Sequence, residues 1–250
     1  MSQKPVIQVK NLVARYDDEI ILDNISFDVF KGEIIGVIGT SGCGKSTLLR
    51  HLIGLDAPYS GKILLDDIDI AACDETTLQS IFRDMGVLFQ GGALFGSMTL
   101  AENIALPMFE YTDLSKEIIA KLVHMKLCKF DLTAYPEHLP SQLSGGMKKR
   151  AGLARAMALN PKFLFLDEPT SGLDPIIGAE INALIRDISQ SAGITVVLVT
   201  HDIRTIFDIT NRILMLDKDT KKIIAEGNPA LLVKQSQHST VRRFLTYGNT

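Results

Sequence analysis

Apolar and polar residues alternate along two stretches near the amino terminus, Ile7 to Val9 and then Ile25, Phe27 and Val29, with Asp17-Asp18-Glu19 between them. Alternation of period two buries one face of an extended chain, so the pattern predicts antiparallel strands joined by a turn. The rhythm then changes. Glu33 to Ile38 is almost wholly apolar, as expected of a strand covered on both faces. A glycine-rich stretch follows, and Lys45 to Leu55 has helical spacing. Gly61 to Ile70 reads as a further strand and turn. From about Gly91 to Ala158 the pattern is mostly helical, with Pro107, Pro136 and Pro140 as breakers. From Lys162 onward strand and helix alternate through Phe163–Leu166, Ile176–Ser191, Thr195–Thr200, Ile203–Asp208 and Arg212–Leu216, the rhythm of a parallel sheet. The expected organisation is one α/β domain over residues 5–240. Its core and β subdomain take 5–90 and 159–227, a helical subdomain is inserted at 91–158, and a helical tail covers 228–250.

Composition narrows the class. The chain has 250 residues and a net charge of -3. That length buries a large core without disulfides, and the charge gives no sign of a nucleic-acid-binding face. Cys43, Cys73 and Cys128 form no CxxC pair and are odd in number, which fits a reduced, cytosolic chain. No basic-then-apolar leader opens the sequence, and no apolar run approaches the roughly 20 residues that span a bilayer. Any service to a membrane is expected to go through a partner.

The chemistry starts at Gly39-Thr40-Ser41-Gly42-Cys43-Gly44-Lys45-Ser46-Thr47, which fits GxxxxGK[ST] between a buried strand and a helix. Glycines let the backbone curl so that successive N–H groups point at phosphate oxygens, and the following helix adds the positive end of its dipole. Lys45 adds a charge for the β and γ phosphates, and the Ser46 hydroxyl is placed to ligate Mg²⁺. The motif alone does not separate kinases, GTPases and ABC proteins. Further on, the apolar strand Phe163–Leu166 ends in Asp167-Glu168. A lone acidic pair is commonly a solvated strand end. Downstream of a phosphate loop it reads as Asp167 holding the Mg²⁺ shell and Glu168 addressing the attacking water. Leu143-Ser144-Gly145-Gly146-Met147 opens another helix, where Ser144 can cap and the glycines leave N–H groups open. That is either an ordinary capped helix or a second anion site.

Taken together, Gly39–Thr47, Gln90, Leu143–Met147, Leu164–Glu168, Ser171-Gly172-Leu173-Asp174 and His201 resemble the Walker A, Q-loop, signature, Walker B, D-loop and H-loop of ABC ATPases, in that family's order. The resemblance implies a P-loop core of RecA type with an N-terminal antiparallel β subdomain and an inserted helical subdomain. It implies ATP and Mg²⁺ as ligands and a head-to-tail homodimer. In that dimer Ser144, Gly145, Gly146 and Met147 of one copy face the nucleotide in the Walker A loop of the other. By the same resemblance Lys45, Glu168 and His201 are catalytic, Ser46, Gln90 and Asp167 attend the metal, and Ser171 to Asp174 shape the site across the dimer. Tyr16 matches the aromatic residue that stacks on adenine. Cys43 has two readings: a small side chain that fits the loop, or a thiol whose pKa the surrounding N–H donors lower, so that alkylation blocks turnover and bound ATP protects.

Around the Q-loop the chain reads Val87 to Phe95 and then Met98 to Pro107, and the signature glycines are followed by Met147 and Lys148-Lys149-Arg150. This combination resembles the ATPases of MCE-type (Mla) phospholipid transport systems. It implies a multi-span permease, a periplasmic MCE ring and a small STAS-domain protein as partners, at the cytoplasmic face of a bacterial inner membrane. Two alternatives within the family stay open: the ATPase of a small-solute importer, and an iron–sulfur assembly ATPase of similar length. The tail carries Arg242-Arg243-Phe244-Leu245, an amphipathic patch that either packs locally or contacts the neighbouring ATPase.

Overall fold

The computed structural model describes residues 4–247. Two long strands, β1 (Pro5–Tyr16) and β2 (Glu19–Phe30), form the expected hairpin, closing at Tyr16 opposite Glu19. With β4 (Ser60–Leu65) and β5 (Ile68–Asp69) they make an antiparallel sheet in the order β2-β1-β4-β5. The second sheet holds β3 (Ile34–Ile38), β6 (Met85–Leu88), β7 (Phe163–Asp167), β8 (Thr195–Val199), β9 (Arg212–Leu216) and β10 (Ile223–Gly227). Its order is β10-β9-β3-β8-β7-β6, parallel except for β10 at the edge.

Period-two alternation sorts the central strands between two cores. Leu164, Leu166, Val196 and Leu198 face one side, with the helices α3 (Leu100–Tyr111), α4 (Lys116–Lys129), α5 (Gly145–Ala156) and α6 (Pro175–Ala192). Phe163, Phe165, Val197 and Val199 face the other, with α1 (Lys45–Leu52) and the antiparallel sheet. Burial on both sides is why these strands read as continuous apolar runs. A third cluster joins β3 and β9 to α7 (Ile203–Ile209) and to Val241 and Leu245 of α9 (Ser239–Tyr247), after the short α8 (Pro229–Gln235). The described part of the tail, which stops short of residues 248–250, thus packs on its own chain. No helix among the described residues is long and apolar enough to cross a membrane.

Five details differ from expectation. Pro107 does not break the helical segment but lies inside α3. A proline there removes one hydrogen bond and costs about 3 kcal/mol. The reciprocal Thr99–Glu102 capping box and the burial of Leu100, Ile104, Ala105 and Met108 outweigh it. The first helix stops at Leu52 rather than Leu55, because Gly54 turns the chain at φ +72°. Helix α2 (Glu75–Arg83) and strands β6 and β10 carry too few apolar positions, or too short a run, to show in the sequence pattern.

Candidate nucleotide site

The loop between β3 and α1 is shaped by glycine. Gly39 has φ +145°, and a Cβ there would sit 2.5 Å from the Leu216 carbonyl oxygen and 2.6 Å from Cys43 Sγ. Gly44, at φ +96°, precedes α1, and its Cβ would meet Leu22 Cδ2 at 2.7 Å. The curled backbone forms one wall of a cleft of about 870 Å³. Thr40, Ser41, Gly42, Lys45, Ser46 and Thr47 share that wall with the two glycines, and Gln90, Asp167, Glu168 and His201 are among the residues that line the rest. These residues, from four separate segments, therefore converge on one space at the carboxyl ends of parallel strands, where ligands of open α/β sheets bind. Lys45 Nζ donates to the carbonyls of Gly39 (2.8 Å) and Thr40 (3.1 Å), so its charge rests on the loop itself.

Asp167 ends β7, and burial followed by the neighbouring Glu168 charge raises its carboxyl pKa, against the pull of Lys149 and Lys45. Glu168 is buried, and its backbone takes the left-handed φ of +48°. For a residue with a Cβ that conformation costs roughly 1–2 kcal/mol, so something must hold it. Its N–H donates to the Val199 carbonyl at 2.9 Å, and its own carbonyl accepts from Lys149 Nζ at 2.7 Å. Its side chain accepts from His201 Nδ1 at 2.6 Å and from the Thr200 hydroxyl at 3.2 Å. Thr200 also accepts from the Asp202 N–H, and Asp202 accepts from Thr170 and Thr205, which contacts Asn182. A polar network thus runs from Glu168 to the start of the 171–174 segment. That segment lines an adjoining cavity of about 500 Å³, which shares Glu168 and His201 with the cleft. Asp174 caps α6, accepting from the N–H groups of Ile176 and Ile177 at 3.0 Å each.

Other residues singled out by the sequence lie outside the cleft walls. The Tyr16 ring is 46 % exposed, and its hydroxyl donates to Asp56 at 2.6 Å. Asp56 is itself paired with Arg50 at the end of α1, so the ring is tethered to the helix that the phosphate loop opens. Ser144 caps α5 by accepting from the Met147 N–H at 3.3 Å. A Cβ on Gly146 would meet Ile177 Cγ2 at 2.7 Å, so α5 begins hard against the start of α6. Met147 packs against the apolar core. Cys43 corrects the second reading given to it. Its side chain is 2 % exposed and packs into the apolar core beneath the loop, and burial pushes the thiol pKa up despite Lys45.

Three site residues were not legible beforehand. Phe244, in the tail patch, lines the cleft. Thr200 holds Glu168. Lys149 looked like one of three cations in a run, yet it alone of the three is buried. Helical spacing relative to Gly152 and Arg155 was the only available signal.

The profile of the ABC transporter family matches residues 22–171. The chain belongs to this family. It is 39 % identical over 240 residues to the Haemophilus influenzae "Intermembrane phospholipid transport system ATP-binding protein MlaF", covering 96 % of this chain and 90 % of that one. It is also 39 % identical over 225 residues to the Rhizobium meliloti "Methionine import ATP-binding protein MetN", covering 90 % of this chain and 62 % of that one. Among solved structures, a dimeric post-hydrolysis state of the ATP-binding cassette MJ0796 bound to ADP and Pi superposes with a TM-score of 0.80 at 33 % identity, over 89 % of this chain and 98 % of that one. CbiO1 of Clostridium perfringens, part of the cbiONQ transporter complex, gives 0.84 at 28 % identity, over 94 % and 93 % of the two chains. The protein is an ATP-binding, ATP-hydrolysing subunit of an ABC transporter, built on the expected mixed α/β cassette fold.

Proposed function

We propose that this ABC subunit works as a head-to-tail homodimer that drives phospholipid transport between the inner and outer bacterial membranes, docked on a multi-span permease at the cytoplasmic face. The observation that carries the dimer is the position of Ser144–Gly146. The amino end of α5, with open N–H groups, is absent from the walls of its own chain's phosphate cleft and stands beside the 171–174 segment. An anion-binding helix end there is useful to nucleotide held by a second copy, and an isologous two-fold interface brings both pairs together. The division of the domain into a core and a helical insert at 91–158 is part of the same reading, because the insert carries α5.

Within each site, Lys45 and the loop N–H groups hold the phosphates, Glu168 orients water in line with the γ-phosphate, and His201 leaves Glu168 to contact that phosphate. The Ser46 hydroxyl, the Gln90 amide and the Asp167 carboxylate are hard oxygen donors on one cleft, a set that fits Mg²⁺ completed by phosphate and water. Bound there, the ion would neutralise charge between the β- and γ-phosphates. Tyr16 stacks on adenine. The lipid reading rests on the MlaF likeness and on the 87–107 and 147–150 segments; an MCE ring and a small STAS-domain protein are the further partners it entails. The equal identity to a methionine importer favours small-solute import as the second reading.

Glu168→Gln with Mg-ATP should run as a dimer in sedimentation. Wild-type turnover by that variant would refute Glu168 as the base, and a strict monomer, even with its membrane subunits, would refute the shared site. Reconstituted with the permease and MCE subunits of a phospholipid transport system, the wild-type protein should move phospholipid between vesicles on ATP addition. ATPase stimulation by methionine and not by lipid would decide for import.

A further inference from the structure

One face of α5 is laid along the backbone that follows β6. Lys149, Gly152 and Arg155 recur on it at three-residue spacing, which places them on one side of a helix. Lys149 is buried, and its Nζ donates to the Gln90 carbonyl at 2.6 Å and to the Glu168 carbonyl at 2.7 Å. Gly152 lies so close that a Cβ would sit 2.5 Å from Leu88 Cδ1 and 3.2 Å from the Gly92 oxygen. Arg155 donates to the carbonyls of Ala93 (2.6 Å) and Gly92 (3.3 Å), and its guanidinium lies 5.9 Å from the centre of the Phe95 ring. The helix that opens with Ser144-Gly145-Gly146 is therefore bolted to the 90–93 backbone by two cations.

Lys149 is the member of this set that also reaches the reacting end of the cleft. Among the described residues the other contacts to Glu168 come from its own strand turn and from the end of β8: the Val199 carbonyl, Thr200 and His201, and the Ser171 N–H. The Lys149 ammonium alone arrives from the helical side. A buried ammonium that forms no salt bridge among the described residues, with the Glu168 and Asp167 charges offsetting only part of its burial, is an expensive way to fill space, and an apolar side chain would do that better. What an ammonium does, and an apolar chain does not, is donate to two carbonyls from distant segments at once.

We propose that Lys149 is a positioning residue for hydrolysis: by joining the Gln90 carbonyl to the Glu168 carbonyl it holds the backbone of Glu168 in its left-handed turn and sets where the carboxylate points. The inference rests on Glu168 being the group that orients water. It assigns Lys149 no contact with nucleotide, so its loss acts on turnover far more than on binding.

The test is Lys149→Met and Lys149→Arg on the full chain, with turnover against Mg-ATP, affinity for a fluorescent ATP analogue, and thermal melting. Lys149→Met should lower kcat by about 20-fold or more with nucleotide affinity within about twofold of wild type, and Lys149→Arg, which keeps several donors, should recover most of the loss. A folded Lys149→Met with kcat within about twofold of wild type overturns the proposal. So does a parallel fall in affinity and kcat that Lys149→Arg fails to rescue. If the methionine variant does not fold, Lys149→Gln, with one amide donor, is read by the same criteria. Glu168→Gln measured alongside separates two failures: if it turns over normally, the assignment of Glu168 falls; if it is dead while Lys149→Met is normal, the assignment of Lys149 falls.

Discussion

A second buried lysine allows a sharp prediction about stability. Lys126 in α4 is 8 % exposed, and its Nζ donates to the Met157 carbonyl, at the end of α5, and to Asn160 Oδ1 at 2.7 Å. Burial, with a smaller push from Lys129, brings its pKa from the ordinary 10.5 down to about 8. The sign follows from linkage. Between pH 8 and 10.5 the unfolded chain keeps the proton and the folded chain has released it, so stability rises with pH through that window. At 1.36 kcal/mol per pKa unit the rise totals on the order of 3 kcal/mol, of which about 2 kcal/mol accrues by pH 9.5. Lys126→Met removes this slope. Near pH 7 it also removes the burial penalty but strands Asn160 Oδ1, a loss of about 1–3 kcal/mol, while Met157 keeps the Asn160 N–H at 3.2 Å. The two effects nearly cancel at neutral pH. Urea unfolding of both proteins followed by circular dichroism should therefore give similar midpoints at pH 7, with the variant weaker by about 2 kcal/mol relative to wild type at pH 9.5. A difference between the two that stays constant to within about 0.5 kcal/mol across that range would refute the reasoning.

Two further outcomes follow from the site. Gly39→Ala puts a Cβ against the Leu216 oxygen and Cys43 at an unfavourable φ, so it should abolish ATP-analogue binding and destabilise by at least about 1–3 kcal/mol, read by binding and by melting. In iodoacetamide labelling followed by peptide mass spectrometry at pH 7.5, exposed Cys128 should react well before Cys43; rapid modification of Cys43 would contradict its burial.

Much of this protein was legible in one dimension. The alternation in Ile7–Val9 and Ile25–Val29, the apolar runs of β3, β7 and β8 and the spacing of Gly39–Thr47 reflect local rules: side-chain period, burial on both faces and the curl that phosphates require. Such rules act between neighbours in sequence and survive without coordinates. The resemblance built on them led to the family that the comparisons support. Pro107 went the other way, because it was judged by local chemistry and then decided by what packed against it, and burial likewise decided between the two readings of Cys43, for the small side chain that fits the loop.

The chain's own order of residues determined that there would be a phosphate loop, a strand ending in two carboxylates and a helix opening on Ser-Gly-Gly, since each is a contiguous pattern with its own physical cause. Only the folded structure decided that Lys149 turns inward while Lys148 and Arg150 do not, that Phe244 comes to line the cleft, and that Ser144–Gly146 are absent from the cleft's walls in their own chain. Those outcomes depend on which surfaces meet across large separations in sequence, and burial energy is settled only where they meet.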